Sequence, residues 1–360
     1  MAEVAALVDS KKFLISSGFS LFRLTGLHRL AIPVTRGLGV ILMFHRVRPA
    51  EKRDFAPNRL LEITPEFFDA VLTRLTALGF AIVGLDEALA RLQRGWPEGT
   101  QTRAPFAVLT FDDGTRDTKD FALPILEAHR APFTTYVTTG FADRSARLWW
   151  VELEEAIRRL EKIDVEIDDE IIVLPARTAT EKAAAFDALY RRLIAGPEER
   201  LLAVIGRLAA TAGVVSAALV DDLCLDWAGI ESLGRHPLCT VGVHTLTHAR
   251  LAKYGEAVVR HELAESRRVI EAHIGKPARH LAYPVGDPSS AGRREFKIAE
   301  ELGFASAVTT RPGMIFPQHR AHPTALPRLS INGNWQSLDM VEILLSGAPF
   351  ALWNFGRKVV

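Results

Sequence analysis

The stretch 106-FAVLTFDDG-114 predicts both a fold class and the place where chemistry occurs. Its apolar run 106–109 is typical of a strand that is buried on both faces, as strands in parallel sheets are. Asp112 and Asp113 follow at once, and Gly114 indicates that the chain turns there. Successive side chains of a continuing strand point to opposite faces, so both carboxylates reach one cavity only where the strand ends. The pattern therefore predicts two carboxylates at the C-terminal end of a buried strand.

A second strand followed by polar residues lies far downstream, in 239-CTVGVHTLTH-248. The β-rich run 239–243 leads directly into His244, and His248 comes four residues later. One helical turn would place both imidazoles on the same face. Two neutral imidazoles and one carboxylate suit zinc and other first-row metals, and they leave coordination positions open. An Asp-Asp-Gly alone is a common turn, and an HxxxH pair alone is a common surface feature, but their occurrence at two strand ends favours a metal site.

The chemistry expected of such a site is metal-assisted hydrolysis. A divalent metal polarises a substrate carbonyl and activates water, while the free carboxylate of Asp112 removes a proton.

Short apolar runs alternate with amphipathic segments from Gly39 onward. Strands are predicted at 40–44, 81–85, 107–111 and 133–137, and helices at 65–78, 85–94, 122–129 and 256–274. This alternation predicts an α/β fold whose parallel sheet is closed or nearly closed by its helices. In such folds the active site lies at the C-terminal strand ends, where both motifs fall.

The interval between the two motifs is longer than one or two βα units need. Segments 152–162 and 179–208 are rich in Ala, Leu, Glu and Arg, so they predict a helical insertion from about 146 to 225, with 165–174 as a candidate hairpin. A lid, a substrate platform and an oligomerisation surface are all open roles for it. Trp149 and Trp150 stand at its start, where they either stack on sugar rings or pack a hinge.

At these residues the chain resembles the polysaccharide deacetylases of carbohydrate esterase family 4, the NodB-homology group, and among them the chitooligosaccharide deacetylases. The resemblance rests on TFDDG at 110–114, HTLTH at 244–248 and a variant third motif, LAYPVG, at 281–286. It also includes the segments 40–47 and 63–68, and it covers roughly 38–145 and 226–335. It implies a distorted (β/α) barrel over 38–360. The insertion 146–225 interrupts this barrel and is not a feature of the family's compact members, and the preceding residues 1–37 are predicted to be a separate helical segment.

The resemblance also implies an activity, the hydrolysis of N-acetyl groups on N-acetylglucosamine units of a poly- or oligosaccharide. By position, Asp112 is then the general base, and the metal ligands are Asp113, His244 and His248. The metal implied is zinc, with cobalt, nickel or manganese as alternatives. Val285 stands where the family has a Tyr that donates its backbone N–H to the oxyanion. The residues predicted to contact the carbohydrate are Tyr283, His45, Trp149 and Trp150. His45 follows the first strand, where it either lines the same cavity or packs as an ordinary core or rim histidine.

The third motif departs from the family pattern, because Ala282 replaces the Arg that orients the catalytic Asp. Arg328 is a candidate to reach Asp112 from another strand end, against the alternative of an ordinary surface ion pair; Arg279 is less favoured. The family's general acid has no clear counterpart either. His322 is the first candidate and His319 the second, although a loop histidine is usually only solvated.

Composition sets the remaining bounds. The 360 residues carry 44 basic and 43 acidic side chains, so no nucleic-acid partner is expected. The two cysteines have no metal or redox spacing, and no apolar run reaches the length of a membrane span. Residues 11–19 resemble a signal peptide but run on into Arg23 and Arg29 without a cleavage site, which predicts an uncleaved basic amphipathic helix and a cytoplasmic location. That helix either packs on the barrel or touches a membrane surface. The oligomeric state is not predicted.

Two alternative functions share this fold. One is a hydrolase of a non-sugar amide, and the other is a catalytically weakened carbohydrate-binding relative. The intact Asp112 argues against the second, because a binding protein has no use for a base beside the metal.

Overall fold

The computed structural model describes residues 22–94 and 104–359; the predicted N-terminal helical segment before residue 22 lies outside the described residues. The strands are Gly39–Phe44 (β1), Arg46–Val47 (β2), Glu62–Ile63 (β3), Ala81–Ile82 (β4), Phe106–Phe111 (β5), Phe133–Val137 (β6), Lys162–Ile167 (β7), Glu170–Pro175 (β8), Cys239–Val243 (β9), His280–Ala282 (β10), Ser306–Pro312 (β11) and Leu326–Ser330 (β12). The α-helices are Leu27–Thr35 (α1), Pro65–Ala77 (α2), Leu85–Arg94 (α3), Leu123–Ala128 (α4), Thr139–Ala142 (α5), Trp149–Arg159 (α6), Ala179–Ala195 (α7), Glu198–Thr211 (α8), Ser216–Leu223 (α9), Trp227–Arg235 (α10), Glu256–Ile274 (α11), Arg293–Glu301 (α12), Leu338–Leu345 (α13) and Ala348–Trp353 (α14). Short 3₁₀ helices lie at Pro57–Leu61, Leu251–Lys253, Pro317–Ala321 and Gly333–Trp335, and a π-helical turn at Thr118–Ala122.

Seven parallel strands form a closed barrel in the order β1-β12-β11-β10-β9-β6-β5. The ring closes where β1 pairs with β5 in continuous register, from Gly39 opposite Phe106 to Phe44 opposite Phe111. The ring is irregular, since β10 and β9 share a single pair of partners, Leu281 and Val243. The predicted distorted (β/α) barrel with a helical insertion is confirmed. The strand predicted at 81–85 is shorter than expected, and β4 pairs with the first half of β5 outside the ring.

The alternation of side chains along β1 and β5 determines what faces the barrel interior. Every residue of both strands is buried, as the apolar run 106–109 predicts for β5. Ile41 and Val108 belong to one apolar cluster with residues of four other barrel strands, which places them inside, whereas Val40 and Ala107 pack with the surrounding helices. Asp112 has the same parity as Val108, so its carboxylate points into the barrel.

The insertion between β6 and β9 has a hydrophobic core of its own. Helices α6 to α9 and the antiparallel hairpin β7–β8 surround buried residues such as Leu153, Leu189 and Ile205. Phe55, from the loop after β2, and Phe141, from helix α5, join that core. The insertion is therefore a packed subdomain that shares a boundary with the C-terminal strand ends.

The first and last described helices pack against each other. Thr35 of α1 donates its hydroxyl proton to the carbonyl oxygen of Ser346, 2.6 Å away, just before α14 begins. No single helix in the described parts of the chain has the length and apolar content needed to cross a membrane. Helices α8 and α9 meet those criteria only together, and they are bent by 98° relative to each other.

Candidate metal centre and active site

Asp113, His244 and His248 converge at the C-terminal strand ends, where all three are buried. Asp113 Oδ1 lies 3.4 Å from His244 Nε2 and 3.3 Å from His248 Nε2. One ligand atom from each residue lies within 4.8 Å of the others, which is the spacing of groups that share one ion. Burial raises the pKa of Asp113, but the two imidazoles outweigh it and keep the pKa of this carboxyl well below its usual value.

Asp113 reaches this position because the strand ends before it. Its backbone is left-handed, with φ of 71°, and Gly114 follows with φ of 67°. Left-handed backbone is costly for residues other than Gly, Asn and Asp. The reversal turns Asp113 toward the same cavity as Asp112, as the sequence predicts for two carboxylates at a turn.

The two histidines are brought together by a loop, so the predicted helical turn over 244–248 is wrong. Thr245 and His248 both have left-handed backbone, with φ of 65° and 63°, and no helical hydrogen bonds form there. The loop is held instead by Glu262 of α11. Its carboxylate accepts hydrogen bonds from the N–H groups of Leu246 and Thr247 at 2.9 and 3.0 Å, and from the Thr247 hydroxyl at 2.9 Å.

Glu262 was not singled out from the sequence. The available signal was a glutamate on the apolar face of a helix, three residues after Val259, which is buried. A buried carboxylate needs partners, so this position indicated a fixed loop nearby.

The orientation of the His244 ring fits metal binding. Its Nδ1 lies 2.7 Å from the carbonyl oxygen of Ala282, which only a protonated Nδ1 can approach as a hydrogen-bond donor. Nε2 therefore keeps its lone pair and directs it toward Asp113. The His248 ring is packed against Trp150, with centroids 4.7 Å apart, and against Phe141, which is stacked at 5.9 Å. The donor set of two imidazoles and one carboxylate therefore fits a first-row divalent metal.

Asp112 is held by Arg328, which lies inside the barrel on β12. Arg328 Nη1 donates to Asp112 Oδ1 and Nη2 to Oδ2, both at 2.7 Å, and Nε donates to the carbonyl oxygen of Thr309 at 2.9 Å. Both side chains are buried. Of the two roles considered for Arg328, the surface ion pair is thus excluded. Burial raises the pKa of Asp112, but the guanidinium outweighs this effect and the net pKa lies below the usual value, so the carboxylate is ionised at neutral pH.

His45 stands on the other side of Asp112, directly after β1. Its Nε2 lies 4.0 Å from Asp112 Oδ2, and it lines the same cavity. Burial lowers the pKa of His45, while Asp113 and Asp112 oppose that effect.

Val285 also lines the cavity, and its backbone has φ of 60°, which is rare for a β-branched residue. Its carbonyl accepts a hydrogen bond from the Thr310 hydroxyl at 2.7 Å. Within residues 22–94 and 104–359, no acceptor takes its N–H. This donor is therefore available to a ligand, as expected for an oxyanion contact.

A cavity of about 800 Å³ extends from the metal ligands to the insertion. One wall is the 3₁₀ helix Pro57–Leu61, which is held in place because Asn58 donates to the carbonyl of Trp150 and the carboxylate of Glu154, both at 2.8 Å. Helix α7 also lines the cavity, with Phe186 and Tyr190. The insertion therefore forms part of the cavity wall, and these two aromatic residues were not identified from the sequence.

The remaining predicted site residues divide into two groups. Trp149 and Trp150 line the cavity, although most of their surface is packed, with rings in edge contact 5.5 Å apart. Tyr283 is fully buried, donates its hydroxyl proton to the carbonyl of Thr324 at 2.9 Å and does not line the cavity.

The structure does not bring His322 or His319 to the site. Both precede β12, at the N-terminal end of the strand, while the metal ligands lie at the C-terminal ends. His322 is exposed, and His319 is buried where its Nδ1 accepts a hydrogen bond from the N–H of Phe316 at 3.0 Å. Arg279 is paired with Asp86 at 3.1 Å, far from Asp112 in the sheet, at the start of β10.

Comparisons with known proteins agree with this geometry. The sequence matches the family model described as "Polysaccharide deacetylase" over residues 99–169 and 201–307. No curated protein matches the sequence.

Several solved structures have a similar fold. The Streptococcus pyogenes deacetylase PplD in complex with acetate has a TM-score of 0.56 at 16% identity, covering 85% of this chain and 97% of that one. IcaB from Ammonifex degensii has a TM-score of 0.52 at 18% identity, covering 87% and 97%. The de-N-acetylase from Aggregatibacter actinomycetemcomitans has a TM-score of 0.51 at 13% identity, covering 84% and 98%. At these identities the likeness concerns the fold.

Proposed function

We propose that this chain, as a member of the polysaccharide deacetylase family, is a metal-dependent hydrolase that removes N-acetyl groups from amino-sugar units. Membership of the family rests on the family-model match, and the fold of the solved structures agrees with it. The observation that carries this proposal is the buried Asp112–Arg328 pair beside the Asp113–His244–His248 cluster. A carboxylate held ionised next to a metal site is suited to remove a proton from water and has no evident use in a binding protein.

A divalent metal held by Asp113, His244 and His248 would supply Lewis acidity that polarises the acetyl carbonyl and makes a water molecule more acidic. The side chains then divide the proton transfers between them. Asp112 accepts the proton of the water that adds to the acetyl carbon. Arg328 keeps Asp112 ionised and fixes the direction of both carboxylate oxygens. The Val285 N–H stabilises the negative charge that develops on the acetyl oxygen.

The departing amine needs a proton, and we assign its delivery to His45, which passes on the proton that Asp112 takes from water. It is the histidine that lines the cavity without belonging to the metal cluster, and its Nε2 lies 4.0 Å from Asp112 Oδ2. Cleavage of the C–N bond then gives acetate and a free amine.

The size of the cavity and its aromatic lining support an oligosaccharide substrate. Its volume of about 800 Å³ is in the range of cavities that enclose ligands of several rings. The partly exposed Tyr190 of α7, stacked on Phe186 at 5.8 Å, presents an aromatic surface on which sugar rings commonly lie. We therefore assign the insertion to substrate binding, and zinc is the metal we expect.

The proposal is tested by measuring acetate release from N-acetylglucosamine oligomers, with the protein stripped of metal and then reloaded with zinc or cobalt. Release should depend on the metal and should fall by about 10²- to 10⁴-fold in Asp112→Asn. Asp86→Asn is the matched control, because this carboxylate lies near the N-terminal strand ends and pairs with Arg279. Zinc binding without acetate release, together with oligomer binding that survives in Asp112→Asn, would instead identify a binding protein.

A further inference from the structure

Half of the exposed large apolar side chains in the described chain lie at its two ends. Seven of the fourteen belong to helix α1, helix α14 and the residues beside them. They are Leu24, Leu27, Leu30, Val34, Leu352, Trp353 and Phe355, and we call them the terminal-helix patch. Leu30 is 78% exposed and Phe355 is 92% exposed, so these are not edges of the core. A concentration of this kind on a folded chain is typical of an interaction surface.

The patch is a fixed surface because the opposite side of α1 is occupied. Leu27, Leu30 and Val34 recur at helical spacing, while His28 and Thr35, on the other side, are buried. Thr35 is bonded to Ser346, and a Cβ on Gly347 would meet the Thr35 carbonyl oxygen at 2.0 Å, so the two helices approach closely at this point. The two parts of the patch adjoin, since Val34 lines the same small cleft as Ala351 and Gly356.

Basic side chains surround the apolar residues. Arg23 and Arg29 are exposed at the α1 side, and Arg357 and Lys358 follow α14. Among residues 22–94 and 104–359, two acidic side chains pair with these basic groups. Asp339 lies 3.8 Å from Arg23, and the partly buried Glu342 lies 3.9 Å from Arg29 and also pairs with Arg74. The surroundings of the patch are therefore positively charged.

We propose that the terminal-helix patch docks the protein on the surface of an anionic lipid bilayer. Exposed Leu, Trp and Phe side chains bordered by Arg and Lys are the composition of an interfacial membrane contact. A second copy of the chain is a poorer occupant, because symmetric pairing of this patch would bring its basic groups against each other.

Docking in this way leaves the active site accessible. Helix α1 leads into β1 at its N-terminal end, Gly39, whereas His45 follows the C-terminal end of the same strand. The six residues of β1 separate the two by about 20 Å. The junction of α1 with the barrel and the cavity are thus at opposite ends of the barrel.

The test is co-sedimentation of the full chain with vesicles of phosphatidylcholine, with and without phosphatidylglycerol. We expect binding to the vesicles that contain phosphatidylglycerol, at least about tenfold weaker in Leu30→Glu and about fivefold weaker in Arg29→Gln. Ile171→Glu is the matched control, because Ile171 is 71% exposed on the insertion hairpin and should leave binding unchanged. Leu352→Gln gives a second, milder change on α14, and acetate release from soluble oligomers or a circular dichroism spectrum verifies that each variant is folded.

Three outcomes would overturn the proposal. They are absence of vesicle binding, binding that Leu30→Glu and Leu352→Gln leave unchanged, and binding that is equal with and without phosphatidylglycerol. Loss of a concentration-dependent dimer in Leu30→Glu, without vesicle binding, would assign the patch to a second copy instead.

Discussion

Replacing Arg328 by Met should disable Asp112 in a way that depends on pH. In the folded protein the guanidinium donates two hydrogen bonds of 2.7 Å to Asp112, and both groups are buried. Methionine preserves much of the side-chain volume but provides neither charge nor donor. Asp112 is then a buried carboxylate without a cationic partner, and burial alone raises the pKa of a carboxyl group.

The size of the effect follows from the burial of the pair. Removing one partner of a buried ion pair costs about 3–5 kcal/mol of stability, because the remaining charge is left uncompensated. Arg328 lowers the pKa of Asp112 in the folded state, so its contribution to stability is present at neutral pH and is lost as the pH falls through the pKa of folded Asp112. The stability difference between the natural protein and Arg328→Met should therefore be largest at neutral pH and shrink on strong acidification.

Two measurements check this reasoning, urea unfolding across pH and the pH profile of kcat/KM for acetate release. The acidic limb of the profile should move to higher pH in Arg328→Met. In Arg328→Lys the acidic limb should lie between those of Arg328→Met and the natural protein. Arg311→Met is the matched control, since Arg311 is a half-buried arginine on neighbouring β11 that lies over Phe296 and donates to the carbonyl of Ala291. A uniform loss of activity with an unmoved acidic limb would refute the claim that Arg328 holds Asp112 ionised.

Three further predictions concern single residues. Val285→Gly should stabilise the protein by about 1 kcal/mol in urea unfolding, because φ of 60° strains a β-branched residue, and kcat should stay within about threefold since the donor is a backbone N–H; a large fall in kcat would mean that the Val side chain is needed. Glu262→Gln should weaken zinc binding by about 10- to 100-fold in a calorimetric titration, because it loosens the loop that carries His244 and His248; unchanged affinity would mean that the loop holds its shape without this carboxylate. Burial lowers the pKa of His319 to about 4, so its contribution to stability is complete above the ordinary value of 6.5 and is lost as the pH falls from there toward 4, by about 3 kcal/mol. His319→Gln should flatten the natural protein's loss of stability over that range, and an identical pH dependence in both proteins would contradict the assignment.

The features that the sequence predicted correctly depend on neighbours along the chain. The buried strand and the turn at Gly114 predicted that Asp112 and Asp113 face a common cavity, and the βα alternation predicted a closed parallel sheet. Strand burial follows from a run of apolar residues, and the strand-end location of both motifs follows from where each run stops. The insertion was likewise visible as helical composition in an interval too long for the barrel alone.

The helical turn predicted for residues 244–248 from the four-residue spacing of the two histidines is wrong. The structure has a loop with two left-handed residues, held by Glu262 from a helix that follows in the sequence. Helical spacing indicates a shared face only if the backbone is helical, and here hydrogen bonds to a distant carboxylate decide the backbone conformation.

The tertiary structure alone decided which groups surround Asp112. The sequence left Arg328 with two roles, and it named His322 as the candidate general acid and His45 as a residue that lines the cavity, because it does not contain the order of strands around the ring. Closure pairs β1 with both β5 and β12, which brings His45 and Arg328 to the same carboxylate from 67 residues before it and 216 residues after it. The ligand types and the base were thus determined by short motifs, whereas their partners were determined by strand register, a long-range property that no local pattern of residues carries.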